Sequence, residues 1–319
     1  MNAHDLIKEA IAEKGKFDSV YWIACGGSMI DLIPAHELLQ REATTFTSYI
    51  YTAREFDIMR PRRLGEKSLV IACSHSGNTP EVVEGCEIAL AAGATVIAQT
   101  DNAGSKIDSG KWTTWVYPWG EGVPQAEVPA GISLSLAAEL LDQQEGYADL
   151  ADMYAGIAEM DKILPPAREK VNAELGDRFA KLCQEHEFFY ILGSGPNFSQ
   201  TYGFAICSLM EMQWQHIHSA EYFHGPFEAT QDGVFYFLQM GSSECRAMDE
   251  RALAFLKTHT DTLMVLDAKE YGMEDVPASV RAYLDPVLFY AMNCELRAAR
   301  GKVFDHDPDF RRYMGVVEY

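Results

Sequence analysis

Short apolar runs alternate with stretches of helical periodicity along most of the chain. Residues 19–25 (SVYWIAC), 68–73 (SLVIAC) and 95–100 (TVIAQT) are continuous, rich in β-branched side chains and too short for helices. That is the pattern of parallel strands buried on both faces. Between the second and third, 80–94 (PEVVEGCEIALAAGA) places its apolar residues at helical spacing and has a glycine stop at Gly93. The stretch 29–40 (MIDLIPAHELLQ) also reads as helix, with Pro34 predicting a kink or a late start. In the second half, 188–193 (FFYILG), 233–240 (GVFYFLQM) and 261–267 (DTLMVLD) predict strands, while 197–214 and 244–259 predict helices.

One unit occurs twice. A strand beginning at Ser19 runs into Gly26, Gly27 and Ser28 and then a helix; a strand beginning at Phe188 runs into Gly193-Ser194-Gly195-Pro196 and then a helix. The repeat predicts an α/β chain of two tandem lobes, each a parallel sheet flanked by helices, with boundaries at 1–160 and 161–319. Strand–helix alternation implies right-handed crossovers. Residues 131–184, mostly helical and without chemical signature, read as the link.

Composition narrows the function. With 48% hydrophobic residues in 319, the chain can bury large cores and is not disordered. A net charge of -21 repels nucleic acid and anionic membranes, so an anionic substrate needs a local cradle. No run approaches the ~20 apolar residues of a membrane helix. The first residues, MNAHDLIKEAIAEKGKF, are charged and helix-like and lack the apolar core of a signal peptide. Seven scattered cysteines without a CxxC pair suit a reducing cytosol. Neither GxxxxGK[ST] nor GxGxxG is present, so no nucleotide cofactor is expected.

Two segments carry chemistry. In 73–84 (CSHSGNTPEVVE) an apolar strand ends, Ser74, His75, Ser76, Gly77, Asn78 and Thr79 follow, and Pro80 and Glu81 open a helix. Hydroxyls beside helix amides at a strand's C-terminal end suit a phosphate. The plainer reading makes Thr79 an N-cap and gives Ser74 and Ser76 to the turn. The second segment, 208–228 (SLMEMQWQHIHSAEYFHGPFE), gathers acids and histidines beside apolar residues. Glu211 and His224 are residue types that can serve as general base and acid. The competing readings are an exposed helix acid with a turn histidine, and a metal site on His216, His218 and His224, which lacks a diagnostic ligand spacing.

CSHSGNTPE resembles the S-x-S-G-x-T phosphate loop of sugar isomerase (SIS) domain proteins, and Cys25-Gly26-Gly27-Ser28 resembles their C-G-x-S turn. The resemblance implies two SIS lobes, with Gly26, Gly27, Ser28, Ser74, His75, Ser76, Asn78 and Thr79 around the sugar phosphate. LMEMQW and AEYFHGPFE resemble the isomerase domain of glucosamine-6-phosphate synthase, and still more the fructosamine-6-phosphate (fructoselysine-6-phosphate) deglycases, as does the ending DHDPDFRRYMGVVEY. This implies Glu211 as catalytic base, His224 entering a neighbouring subunit's site, and hence a homodimer or larger homo-oligomer. Two departures stand out. The Glu211–His224 separation of 13 is shorter than the family's, and Ala220 replaces the glycine before Glu221, the reserve acid. Ser208 stands where the aminotransferases have a lysine, which favours deglycation.

The function implied is cofactor-independent conversion of a phosphorylated Amadori compound to glucose 6-phosphate and a free amino acid, in the cytoplasm, without metal, nucleic acid or membrane. The alternatives are an aldose–ketose isomerase or amino-sugar phosphate deaminase on the same residues, and a sugar-phosphate sensor. The sensor reading leaves Glu211 and His224 without a role and lacks a DNA-binding helix-turn-helix before Lys16.

Overall fold

In the computed structural model, which describes residues 1–220, 222 and 224–317, the apolar runs become strands of two parallel sheets. The chain divides into two units, Met1–Ala158 and Glu159–Tyr319. The first holds β1 (Ser19–Ala24), β2 (Thr47–Thr52), β3 (Ser68–Cys73), β4 (Thr95–Thr100) and β5 (Thr113–Val116), in the order β2-β1-β3-β4-β5. Around them lie α1 (Ala3–Lys14), α2 (Gly26–Glu42), α3 (Ala53–Met59), α4 (Pro80–Ala91) and α5 (Pro129–Glu145). Helix α6 (Leu150–Val171) carries the chain across the boundary.

The second unit holds α7 (Asp177–Glu185), β6 (Phe188–Leu192), α8 (Phe198–Gly203), β7 (His216–Ala220), α9 (His224–Glu228), β8 (Phe235–Met240), α10 (Arg246–His259), β9 (Leu263–Asp267) and α11 (Arg281–Phe304). Its strand order, β7-β6-β8-β9, repeats the first four strands of the other sheet. Thus β6 corresponds to β1 and β8 to β3. The duplication read from the two strand–turn–helix units extends to topology.

Strands β1, β3 and β8 are buried at every position, which is why their sequences are continuously apolar. Three details differ from expectation. Helix α2 starts at Gly26 and runs through a buried Pro34, so the proline does not delay it. The stretch 131–184 is more than a link: α5 is buried from Gly131 to Leu141 and packs on α2, while α7 packs on α11. Gly131 is required there, because a Cβ would lie 1.8 Å from the Gln125 carbonyl oxygen. The helix expected over 197–214 is a composite, with a 3₁₀ turn at Gly195–Asn197, then α8, then wide i→i+5 turns over Phe204–Glu211. Among the described residues no helix is long and apolar enough to cross a membrane.

The second unit's core is aromatic. Phe179, Phe189, Phe204, Phe235 and Phe237 are fully buried, with Phe189 and Phe235 ring centroids 4.7 Å apart and Phe179 and Phe237 5.6 Å apart. Truncating Phe237 removes several of these ring contacts at once. Phe237→Ala is expected to cost ~3–5 kcal/mol in urea unfolding; an unchanged midpoint would contradict this packing.

Candidate active site

Strands β1 and β3 are neighbours with Ala24 opposite Cys73, so the turns after them open at one level of the sheet. After β1, Gly26 turns with φ +54°, Gly26 and Gly27 are exposed, and no side chain caps α2. After β3, the Gly77 amide donates to the Ser74 carbonyl at 2.9 Å. Gly77 has φ +65°, and a Cβ there would lie 1.9 Å from Ser105 Oγ, so the loop tolerates only glycine. Thr79 holds the N-cap position of α4, yet its hydroxyl lies 2.9 Å from Ser74 Oγ and leaves the helix amides alone. The N-cap reading of Thr79 therefore fails, whereas Ser76 does serve the turn, accepting the Asn78 amide at 3.3 Å. Ser28 Oγ accepts the His75 amide at 3.3 Å and ties the two turns together. Two uncapped helix N-termini, each with ~+0.5 charge, thus meet beside hydroxyls at one sheet edge.

The His75 ring is held from several sides. Its Nδ1 lies 3.0 Å from the Tyr117 hydroxyl, its Nε2 3.3 Å from Asp101, and Trp119 meets it edge-on at 4.9 Å. None of these three partners was legible in the motif.

Glu211 ends the wide turns of Phe204–Glu211. Such turns are rare and gather at functional sites. Three residues on, Trp214 has φ +54°, a conformation that costs a bulky residue ~1–3 kcal/mol. A buried clamp holds it. Arg300, 4% exposed, donates to Gln213 Oε1 at 2.7 Å and to Gln215 Oε1 at 2.6 and 3.1 Å. Gln215 donates in turn to the His186 and Glu187 carbonyls. The Trp214 indole meets the His306 ring at 4.6 Å, and the Arg312 guanidinium lies over it at 3.6 Å. Glu211 is thereby presented to a cavity of about 630 Å³, lined also by Met210, Trp214, His216, Arg311 and Tyr313. Arg311 Nε donates to Glu211 Oε1 at 3.2 Å. Glu211 is thus an ion-paired group in a cavity and not a freely solvated helix acid.

The corresponding turns of the second unit are closed. After β6, Ser194 Oγ donates to Asp249 Oδ1 at 2.5 Å. After β8, the Gly241 amide donates to Asp249 Oδ2 at 3.1 Å, and the Ser242 amide to Asp285 Oδ2 at 2.5 Å. Carboxylates from α10 and α11 thus fill the second unit's turns, whereas after β3 the Ser74 amide donates to the Gln99 carbonyl and the His75 amide to Ser28 Oγ, so neither amide goes to a carboxylate.

The structure brings Ser28, Ser74, His75, Ser76, Asn78 and Thr79 into one bonded loop system. It places His224 exposed at the start of α9, and His224 does not line the Glu211 cavity. Glu221 lies outside the described residues. His216 and His218 are exposed on alternate positions of β7, and among the described residues no three His, Cys, Asp or Glu side chains gather as a metal ion would need. Sequence reasoning missed Arg300, His306, Arg311 and Arg312. The ending DHDPDFRRYMGVVEY drew attention to the stretch that holds His306, Arg311 and Arg312 without giving them roles.

The SIS domain family pattern matches residues 18–117. Fructosamine deglycase FrlB of Bacillus subtilis is 36% identical over 313 residues, 96% of this chain and 94% of that protein. Fructoselysine 6-phosphate deglycase of Escherichia coli K12 is 30% identical over 329 residues, 99% of this chain and 91% of that protein. A Bacillus subtilis crystal structure described as a phosphosugar isomerase superimposes with a TM-score of 0.94 at 33% identity, covering 99% of this chain and 97% of that one. Fold and site together define an α/β enzyme of the SIS class. Within it, the chain belongs to the family of fructosamine and fructoselysine 6-phosphate deglycases.

The closed turns make a pH-dependent contribution to stability. Burial raises Asp285 to about 7 and Asp249 to about 6, above the ~3.9 of an unfolded aspartate. The folded state therefore binds the Asp285 proton more tightly. The associated stability is full below the unfolded value and is lost as pH rises towards about 7. Asp285→Asn removes this slope. The stability difference, parent minus Asp285→Asn, is expected to fall by ~2–4 kcal/mol from pH 4 to pH 8. A difference independent of pH would contradict the assignment.

Proposed function

We propose that this enzyme is a fructosamine-6-phosphate deglycase of the fructoselysine-6-phosphate type, hydrolysing a phosphorylated ketosamine to glucose 6-phosphate and an amino acid. The observation that carries the reading is Glu211, fixed by the Arg300 clamp and facing a cavity large enough for a substrate's reacting end. The open turns after β1 and β3 support a phosphate anchored by Ser28, Ser74, Ser76 and Thr79 with the α2 and α4 amides.

In this mechanism His224 assists ring opening. Glu211 takes a proton from C1 of the open-chain ketosamine, giving the enaminol, and a proton returned to C2 leaves an imine at C1. Water adds to that imine and the amine departs, so one ketosamine and one water give one glucose 6-phosphate and one amine. No electron acceptor is involved. The exposure of His224 and its absence from the lining of the Glu211 cavity support a role in a neighbouring subunit, and hence a homodimer or larger assembly. Seven free cysteines support a reducing, cytoplasmic setting.

The test is incubation with fructoselysine 6-phosphate, with glucose 6-phosphate followed by a coupled dehydrogenase. The parent is expected to form product, and Glu211→Gln to lose ~10²–10⁴-fold in kcat. His224→Ala is expected to slow turnover on the cyclic substrate. No product from the parent on either fructoselysine 6-phosphate or a 6-phosphofructosyl α-amino acid would overturn the reading; interconversion of aldose and ketose phosphates instead would favour the isomerase.

A further inference from the structure

The Glu211 cavity carries two arginines, in a chain whose net charge is -21. Both come from the C-terminal segment after α11, far from Glu211 in sequence. Arg311 is 15% exposed, and its Nε meets a single oxygen of Glu211 at 3.2 Å while an Nη donates to the Pro308 carbonyl. A guanidinium fork is shaped for two parallel bonds to one carboxylate, and here it makes one. The contact also engages an oxygen of the group that must accept the C1 proton. The pair is therefore incomplete as a salt bridge and obstructive as an active-site contact. A substrate carboxylate would resolve both.

Resting on the deglycase reading, we propose that Arg311 is the receptor for the carboxylate of the substrate's amino-acid part, and that its capture by that carboxylate releases Glu211 for proton transfer. Reach decides the substrate class. A base must lie ~2.6–3.2 Å from the atom it deprotonates or its hydrogen-bond partner. Arg311 lies beside that base, so the carboxylate it receives must be close to C1. In a ketosamine formed on an α-amine, only the nitrogen and the α-carbon separate C1 from the carboxylate. In one formed on the lysine side-chain amine, four methylenes intervene. The site thus selects α-linked amino acids. Beside the polar Gln215, His216, Arg312 and Tyr313, the lining offers Met210, Trp214, Met314 and Val317, an apolar part that suits an aliphatic side chain.

The experiment compares three 6-phosphofructosyl amines: that of valine through its α-amine, that of isobutylamine (valine without its carboxylate), and that of lysine through its side-chain amine. The parent is expected to use the valine compound with kcat/KM at least about tenfold above the isobutylamine compound, as a lost charged hydrogen-bond pair requires, and above the lysine compound. Arg311→Met is expected to collapse the valine-to-isobutylamine ratio towards one, and Arg311→Lys to keep part of it. Equal turnover of valine and isobutylamine compounds by the parent, or a ratio unchanged in Arg311→Met, would overturn the carboxylate receptor while leaving the deglycase standing. Turnover of none of the three by the parent would overturn both.

Discussion

A helix that starts where a buried parallel strand ends leaves its first amides without partners, and something must satisfy them. This protein builds the turns before such helices in two ways on two copies of one topology. After β1 and β3, no side chain caps α2 or α4, and the hydroxyl placed to cap α4 bonds Ser74 instead. After β6 and β8 no side chain caps α8 or α10 either, but Asp249 and Asp285 fill the turns that lead into them. Duplication supplied two potential anion sites. The second unit uses its own as internal structure, and its raised aspartates record the cost of burying that charge.

What the second unit does offer is a strained segment. The wide turns before Glu211 and the left-handed Trp214 after it are both unfavourable locally, and neither would persist without the Arg300–Gln213–Gln215 clamp and the rings of His306 and Phe310 against the indole. Strain held in place by a buried network fixes where Glu211 points. The C-terminal segment completes this arrangement. It supports Trp214 from one side and sets Arg311 against the carboxylate it frames.

Much of this was legible in the sequence where one physical signal was strong. Strands β1, β3 and β8 are buried on both faces and read as continuous apolar runs. Strands β2 and β5, half exposed at sheet edges, carry TSYIYT and TTWV, which give no such run. The hydroxyl-rich loop announced a cradle, but only geometry separates a capping threonine from one that leaves the helix open. Wide turns do not alter composition, so the LMEMQW stretch read as ordinary helix. Asp249 sits in DER, which reads as a surface acid, yet it is 1% exposed. The Arg311–Glu211 pair joins residues 100 apart, and no local pattern encodes such a contact.

The most direct test of the central claim is calorimetric titration of the protein with glucose 6-phosphate. The account predicts one binding event per chain, abolished by a combined Ser76→Ala and Thr79→Val substitution and unaffected by Ser194→Ala. Two binding events per chain, or binding that survives the first-unit substitutions and disappears with Ser194→Ala, would contradict it.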